Sequence, residues 1–487
     1  MKRLAYILLI VSVFQLVSTK RSKSTPPPAS TEVQHNFPDD IKAILVDKCA
    51  TSGCHNQASY KGAGNLLLDS WEHLFDGSSN GAVVVPYSPD NSSLMYFVNT
   101  DPNLGTTTEP TMPYNGTPLS KEEYLKLRDW IVNGAPNKDG MVPFSGNDAL
   151  RQKIYMVQQG CDLVAVIDAE KQVVMRYIKV GKTYATEQPN NIVMSPDGQY
   201  AYVSFWNANL IQKIDTKTDK VVAEVETPRA FQKAIQIDES GLKLIVCNWY
   251  THDMIWIDAT TMSIVKTFSN GIRNVSGFAS SATSGSFYIT SQFGNTFYKM
   301  LLDGSFTTHT IDGNASTTIS AQGTPDPSGI LFSRDNRKYF ITCTNTAEVA
   351  VMDAKDDKRI TTISVGENPQ EMVLSKKQPY LFVSCTNDTA SKLEVGSVYV
   401  INYNTHEVVK KIRGKFFQPK GIALDDEKGL LFIFSRNDDK NGPPPHHSSP
   451  CDGRNGFYNV YDINTLEPYT STRFEVTVDP YDAVSRF

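Results

Sequence analysis

Positive charge is in short supply in this chain. Lysine and arginine number 47 against 52 aspartates and glutamates, a formal net charge of −5 over 487 residues. No basic face of the kind that meets nucleic acid is offered, so a nucleic-acid partner is excluded. Long hydrophobic runs are lacking too. The one that stands out, Leu4 to Val17, falls short of the roughly 20 apolar residues that a comfortable membrane span needs. No cysteine follows that run closely enough to take a lipid. Cysteine is sparse at seven and histidine at eight, so any cluster of the two carries weight. The rest is ordinary for a soluble globular protein of more than one domain, with 40% hydrophobic and 20% charged residues.

Such a cluster stands in Lys48-Cys49-Ala50-Thr51-Ser52-Gly53-Cys54-His55. Two cysteines followed directly by a histidine form the pattern by which a chain carries covalent haem. The thiols add to the two vinyl groups and the imidazole is held against the iron. The usual spacer is two residues, and this one is four. On the residues alone, a Cys49–Cys54 disulfide and half of a zinc site are the alternatives. Zinc would need about four protein ligands, and no second cysteine–histidine pair lies nearby.

A six-coordinate haem takes a second axial ligand, often a methionine on a later loop. Met112 lies in Glu109-Pro110-Thr111-Met112-Pro113-Tyr114, where prolines on both sides stiffen the backbone. Ser120 and Glu123 then make a capping box for a helix over about Lys121 to Val132. It places Tyr124, Leu127, Trp130 and Ile131 on one face and ends at Gly134. A shorter helix, Asp39 to Asp47, precedes the motif with Ile41, Ile44 and Leu45 together. Met95, in the apolar segment Leu94 to Val98, reads as core packing, and His73 as a surface residue. The order of helix, haem motif, methionine loop and closing helix resembles the planctomycete-type cytochrome c domain over residues 37–137. The resemblance implies a small all-α domain with one haem c per chain. Cys49 and Cys54 would attach it covalently, with His55 and Met112 as axial ligands of the iron.

Lys2-Arg3, the apolar run and the small Ser18-Thr19 read as a signal peptide over residues 1–19. Residues 20–36, with Pro26-Pro27-Pro28, read as a disordered tether. The protein is therefore expected to be exported, periplasmic or extracytoplasmic, and not an integral membrane protein after cleavage. Residues 138–152 read as a linker.

From residue 153 the chain repeats itself. One apolar phrase recurs as Ala201-Tyr202-Val203-Ser204, Leu244-Ile245-Val246-Cys247, Phe287-Tyr288-Ile289-Thr290, Tyr339-Phe340-Ile341-Thr342, Tyr380-Leu381-Phe382-Val383 and Leu431-Phe432-Ile433-Phe434. A strand ending in an acid follows, at Asp168, Asp215, Asp258, Asp353 and Asp462. The same place in successive copies marks these acids as strand-end turns. Four short strands at a period of roughly 40 to 50 residues are a propeller blade. The wording resembles YVTN-type β-propeller repeats over residues 153–487, in seven copies. The first copy lacks its innermost strand, and the final Asp479 to Ser485 matches that strand, so the C-terminal strand is expected to close the ring. Cys247, Cys343 and Cys385 fall at strand ends as core thiols, while Cys161 and Cys451 are left with the choice of pairing. The longest excursions, Gly313 to Asp326, Asn387 to Gly396 and Asn437 to Gly456, are expected to share one rim, with the linker arriving at the other. The last of them, which carries His446-His447, is expected to be solvated rather than a metal site.

The fold class implied is a small all-α cytochrome c domain followed by an all-β seven-bladed propeller. The function implied is electron transfer to or from a redox partner protein, with the propeller as a partner- or substrate-binding platform. Two alternatives stand beside it: a haem-linked oxidoreductase with its substrate site on the propeller, and a propeller lactonase-like hydrolase. Propeller histidines His252, His309, His406, His446 and His447 fall at unrelated repeat positions. That argues against a copper cluster like that of nitrous oxide reductase, and none stands out as ligand for a second haem.

Overall fold

Two apolar helices frame the N-terminal region of the computed structural model, which describes residues 34–146, 151–183, 185–269, 271–447, 449–470 and 473–486. The leader and most of the tether therefore lie outside the described residues. Helix α1 (Asp39–Ile44) buries Ile41 and Ile44, with Asp39 and Asp40 favouring its positive N-terminal end. It runs into a π-helical turn, Leu45–Cys49, so the helical path extends past the expected end at Asp47 and widens there. Turns of this kind mark functional positions more often than ordinary helix does. Two short helices follow, α2 (Trp71–Leu74) and α3 (Ser93–Val98). Then comes α4 (Lys121–Val132), whose capping box is formed. The Ser120 hydroxyl accepts from the Glu123 N–H at 3.3 Å, and the Glu123 carboxylate accepts from the Ser120 N–H at 3.0 Å. Tyr124, Leu127, Trp130 and Ile131 are buried against α1, α3 and the motif cysteine in one core, while Gly134 adopts the positive φ (93°) that ends the helix. Among the described residues no helix is long and apolar enough to cross a membrane.

The remainder is a seven-bladed propeller of antiparallel sheets. Blade 1 is assembled from both ends of the region, in the order Pro480–Ser485, Lys153–Gln158, Leu163–Asp168, Val173–Lys179. The closing register pairs Ile154 with Ser485 and Met156 with Ala483. Pairing the last strand with the first leaves no open edge in the ring. Second strands such as Leu430–Ser435 are buried along their whole length, because neighbouring blades cover both faces. Outer strands such as Lys220–Glu226 alternate between exposed and half-buried. Each recurring acid caps the turn after its strand. Asp215 accepts from the N–H groups of Lys217 and Thr218, Asp258 from Thr260 and Thr261, and Asp462 from Asn464 and Thr465.

Adjacent blades are clasped by buried tyrosines. The Tyr155 hydroxyl donates to Asp219 at 2.6 Å, beside the Lys153 ammonium at 2.8 Å. The Tyr458 hydroxyl donates to the Gln172 carbonyl at 2.6 Å across the blade 7–blade 1 seam. Cys247, Cys343 and Cys385 are buried free thiols, and burial pushes the latter two up to about 12. Cys161 and Cys451 are joined in a disulfide across 290 positions.

Two expectations about loops are corrected. The excursion from Asn387 to Gly396 is not a loop but a ribbon continuing strands Tyr380–Ser391 and Glu394–Asn402, because backbone pairing persists to Ser391 and Glu394. The loop after Leu430–Ser435 is only partly solvated. His446 is exposed, but the His447 side chain keeps 17% of its surface, because its ring packs 5.0 Å from Tyr96 of α3. The helical region thus lies along the outer strands of blades 1 and 7. Asp76 pairs with Lys171, the Glu475 N–H donates to the Asn80 carbonyl at 3.3 Å, and Val85 is buried with Ile154, Phe432 and Phe474. Blade 7 makes room by breaking its outer strand into Glu467–Pro468 and Phe474–Val478.

Candidate haem site

The π turn delivers Cys49 into the helical core, where it is 8% exposed and its thiol donates to the Ile44 carbonyl at 3.4 Å. Burial, and after it the neighbouring Cys54, push this thiol up to about 11, so it stays protonated and neutral at ordinary pH. The chain then turns back. Gly53 supplies a positive φ (82°), the Cys54 N–H donates to the Thr51 carbonyl at 3.0 Å, and the His55 N–H donates to the Cys49 carbonyl at 3.2 Å. This last bond closes the loop and brings His55 beside the first cysteine despite the four-residue spacer. Cys54 is half-buried, and both thiols are unlinked, so the disulfide alternative is not what the structure shows.

His55 is oriented by two backbone contacts. Its Nδ1 stands 3.1 Å from the Leu66 carbonyl, and its own carbonyl accepts from Leu68 at 2.9 Å. A carbonyl partner favours Nδ1 as the protonated nitrogen, the arrangement common to histidines that ligate a metal through Nε2. Burial holds the imidazole below its usual range, against the pull of the Leu66 and Ala63 carbonyls, and so favours the neutral form that can ligate.

Met112 packs, partly buried, on the cluster that also contains Cys49, Leu66 and Leu68. Cys49 and Met112 therefore border one core, and Cys54 and His55 lie on the turn that follows Cys49. The Met112 N–H donates to the Phe97 carbonyl at 2.7 Å. The start of its segment is held by Asn99, whose amide donates to the Gly105 and Thr106 carbonyls at 3.0 and 3.1 Å. Met95 is 2% exposed inside the same core, and His73 faces outward onto Asp69 at 2.6 Å. The donor set of two thiols, one imidazole and a thioether beside an apolar core fits a c-type haem. Sequence reasoning missed the Leu66 carbonyl, a backbone atom with no residue signature. It also missed the Lys48–Glu123 ion pair that ties the motif to the start of α4.

The propeller axis is polar. Lys420 pairs with Glu371 at 2.8 Å and stands 3.9 Å over the Tyr481 ring, and Asp482 accepts from Asn191 and the Ile192 N–H, both at 3.0 Å. The innermost strands, from Pro189–Met194 round to Pro480–Ser485, carry no histidine. Among the described residues of the propeller the closest acid–histidine contact is His447 with Glu475 at 3.5 Å, and His309 stands 4.0 Å from Asp357. That carboxylate already accepts from Tyr288, Tyr339 and Lys299 and is spent on packing.

A family model described as the cytochrome D1 heme domain matches residues 151–441, and one described as planctomycete cytochrome C matches residues 52–106. The second match contains Cys54 and His55 but begins after Cys49 and stops before Met112. The chain is 26% identical over 247 residues to Antigen Lp49 of Leptospira interrogans, a match covering 49% of this chain and 53% of that protein. It thus spans about half the length of that curated relative. A functionally unknown protein from Desulfotomaculum acetoxidans has a similar structure, with a TM-score of 0.50, 14% identity, and 67% of this chain and 99% of that one covered. For Kuenenia stuttgartiensis hydrazine synthase the values are 0.47, 17%, 62% and 90%. The first likeness speaks to the fold alone, and the second is too distant to argue from.

Proposed function

We propose that this chain, which belongs to the cytochrome D1 heme domain family and carries a planctomycete cytochrome C segment before the propeller, is an exported monohaem electron-transfer protein. In this reading the Cys49 and Cys54 thiols attach one haem c, and His55 Nε2 and the Met112 sulfur are its axial ligands. Residues 1–19 are the leader, 20–36 the tether, 37–137 the haem domain, 138–152 the linker and 153–487 the propeller, which serves as the platform for a redox partner protein. A haem held there would supply one-electron chemistry. The chain's own residues prepare for it. The Leu66 carbonyl fixes the imidazole tautomer, the Cys49 carbonyl fixes the loop, and the apolar core around Cys49 and Met112 keeps water away.

The observation that carries the proposal is the half-buried His55 ring, held with Nδ1 on the Leu66 carbonyl, one residue from Cys54. Export is supported by the disulfide, since such bonds persist in oxidising compartments. The test is a haem-specific stain after denaturing electrophoresis, following export in a host that attaches c-type haem. Stain should stay with the wild type and be lost from Cys49→Ala/Cys54→Ala. Wild-type protein that binds no haem would leave the propeller as a binding module and refute the proposal.

A further inference from the structure

Helix α3 stands between two things that the sequence kept apart, the methionine segment and the longest loop of the propeller. On one side Leu94, Met95 and Val98 enter the helical core. From the same helix the Phe97 carbonyl receives the Met112 N–H, and Asn99, 2% exposed just beyond it, holds the Gly105 and Thr106 carbonyls. The segment that presents Met112 therefore hangs from α3 and its C-terminal cap at both ends. On the other side Tyr96 is 3% exposed, with its hydroxyl on the Asp90 carbonyl and its ring against His447.

The loop that brings His447 there is itself anchored. Glu475 accepts from the His446 N–H at 2.9 Å and the Asn455 amide at 2.8 Å, stands 3.5 Å from His447 Nδ1, and donates its own N–H to Asn80. A few residues on, Cys451 is bonded to Cys161 in the turn between the first two sequential strands of blade 1. A loop serving only as a solvated connection would neither pack an imidazole against a helix nor be tied down by a disulfide.

We propose that this propeller loop positions the candidate axial ligand: His447, packed on Tyr96, holds α3 in register, and α3 holds Met112. The inference rests on Met112 being the second ligand, as read above. His447 touches neither haem nor partner in this scheme and acts through α3 as a positioning residue. Whatever moves the loop, a docked partner protein included, moves the methionine segment too, so the propeller has a mechanical route to the redox site.

The experiment uses full-length haem-loaded protein as wild type, His447→Ala, His447→Phe and Met112→Ala. Three readings are taken: the methionine–iron charge-transfer band of the ferric form, the midpoint potential, and hydrogen exchange at the Met112 amide. Loss of the thioether lowers the potential, because a methionine ligand raises it. Met112→Ala should lose the band outright. His447→Ala should weaken the band, lower the potential in the same direction, and speed Met112 amide exchange by about tenfold. His447→Phe, which keeps a ring against Tyr96, should restore all three. A His447→Ala protein with wild-type potential and wild-type exchange overturns the inference. A wild type that holds haem but lacks the band refutes Met112 as ligand. The amide exchange then decides the positioning by itself, faster exchange in His447→Ala supporting it and unchanged exchange overturning it.

Discussion

Asp215 and His55 are both polar residues beside a local turn, and they do different work in the two regions of the molecule. Asp215 has counterparts at Asp168, Asp258 and Asp462, each accepting the N–H groups two and three residues on. His55 has none. In the propeller, stability comes from repetition, with the blades burying their second strands and tyrosines such as Tyr155, Tyr288 and Tyr458 bonding across to a neighbouring blade. In the helical region four short helices share one core, and the chemistry-bearing groups sit where local geometry departs from the regular, at the π turn and the Gly53 turn. A recurring acid is thus a structural residue, and a singular cysteine–histidine group is the place to look for chemistry.

The hardest blow to this contrast is to the ring itself. A chain ending at Val478 loses the innermost strand of blade 1 and with it the pairs Ile154–Ser485 and Met156–Ala483. It also loses the Ser485 hydroxyl's bond to the Leu424 carbonyl of blade 7, at 2.6 Å. The expected cost exceeds about 5 kcal/mol, enough to abolish cooperative unfolding. Because the helical region sits on blades 1 and 7, proteolysis should reach it as well. Protease resistance equal to full length would show that repetition is not what holds the propeller.

Closure also has a pH dependence of its own. Burial, and after it the charge of Glu371, raise Asp482 to about 6, against Lys420 and the donors Asn191 and Ile192. In the unfolded chain the group titrates near 4. Between these values the folded state binds the proton more tightly, so this contribution is complete below about pH 4 and is lost as pH rises through about 6. Other carboxylates shift in both directions, Asp162 and Asp425 up and Glu371 and Asp388 down, so the comparison is with Asp482→Asn. Relative to that variant, wild type should lose on the order of 1 to 3 kcal/mol between pH 4.5 and 7 in thermal or urea unfolding. Parallel pH curves for the two proteins would remove Asp482 from the closure.

The gentlest change sharpens the comparison most. Asp215→Ala and Asp258→Ala each remove a half-buried turn acceptor and should lower the urea midpoint slightly. In different blades the losses should add. Haem staining should be untouched in either, and a protein that lost stain with Asp258→Ala would overturn the division between recurring and singular residues.

Much of this was legible in the order of residues. The capping box of Ser120 and Glu123, the buried face of α4, the seven blades, their acidic turns and the closing strand all follow from local patterns, and local patterns survive wherever the chain goes. Within the candidate site, residue types and their spacing marked out Cys49, Cys54, His55 and Met112 as one set. What escaped were partners with no sequence signature. The Leu66 carbonyl is a backbone atom, the ribbon beyond Cys385 is pairing that outlasts its apolar phrase, and the Cys161–Cys451 bond was one choice among several.

By itself, then, the sequence determined which elements form and how many blades close, because periodicity and turn chemistry act over a few residues. Only the tertiary structure decided where the helical region lies, that His447 leaves solvent for Tyr96, and that α3 joins the methionine segment to a loop some 350 positions further along. Those outcomes depend on ring closure bringing blade 7 beside blade 1. No stretch of chain encodes that adjacency until both ends have met.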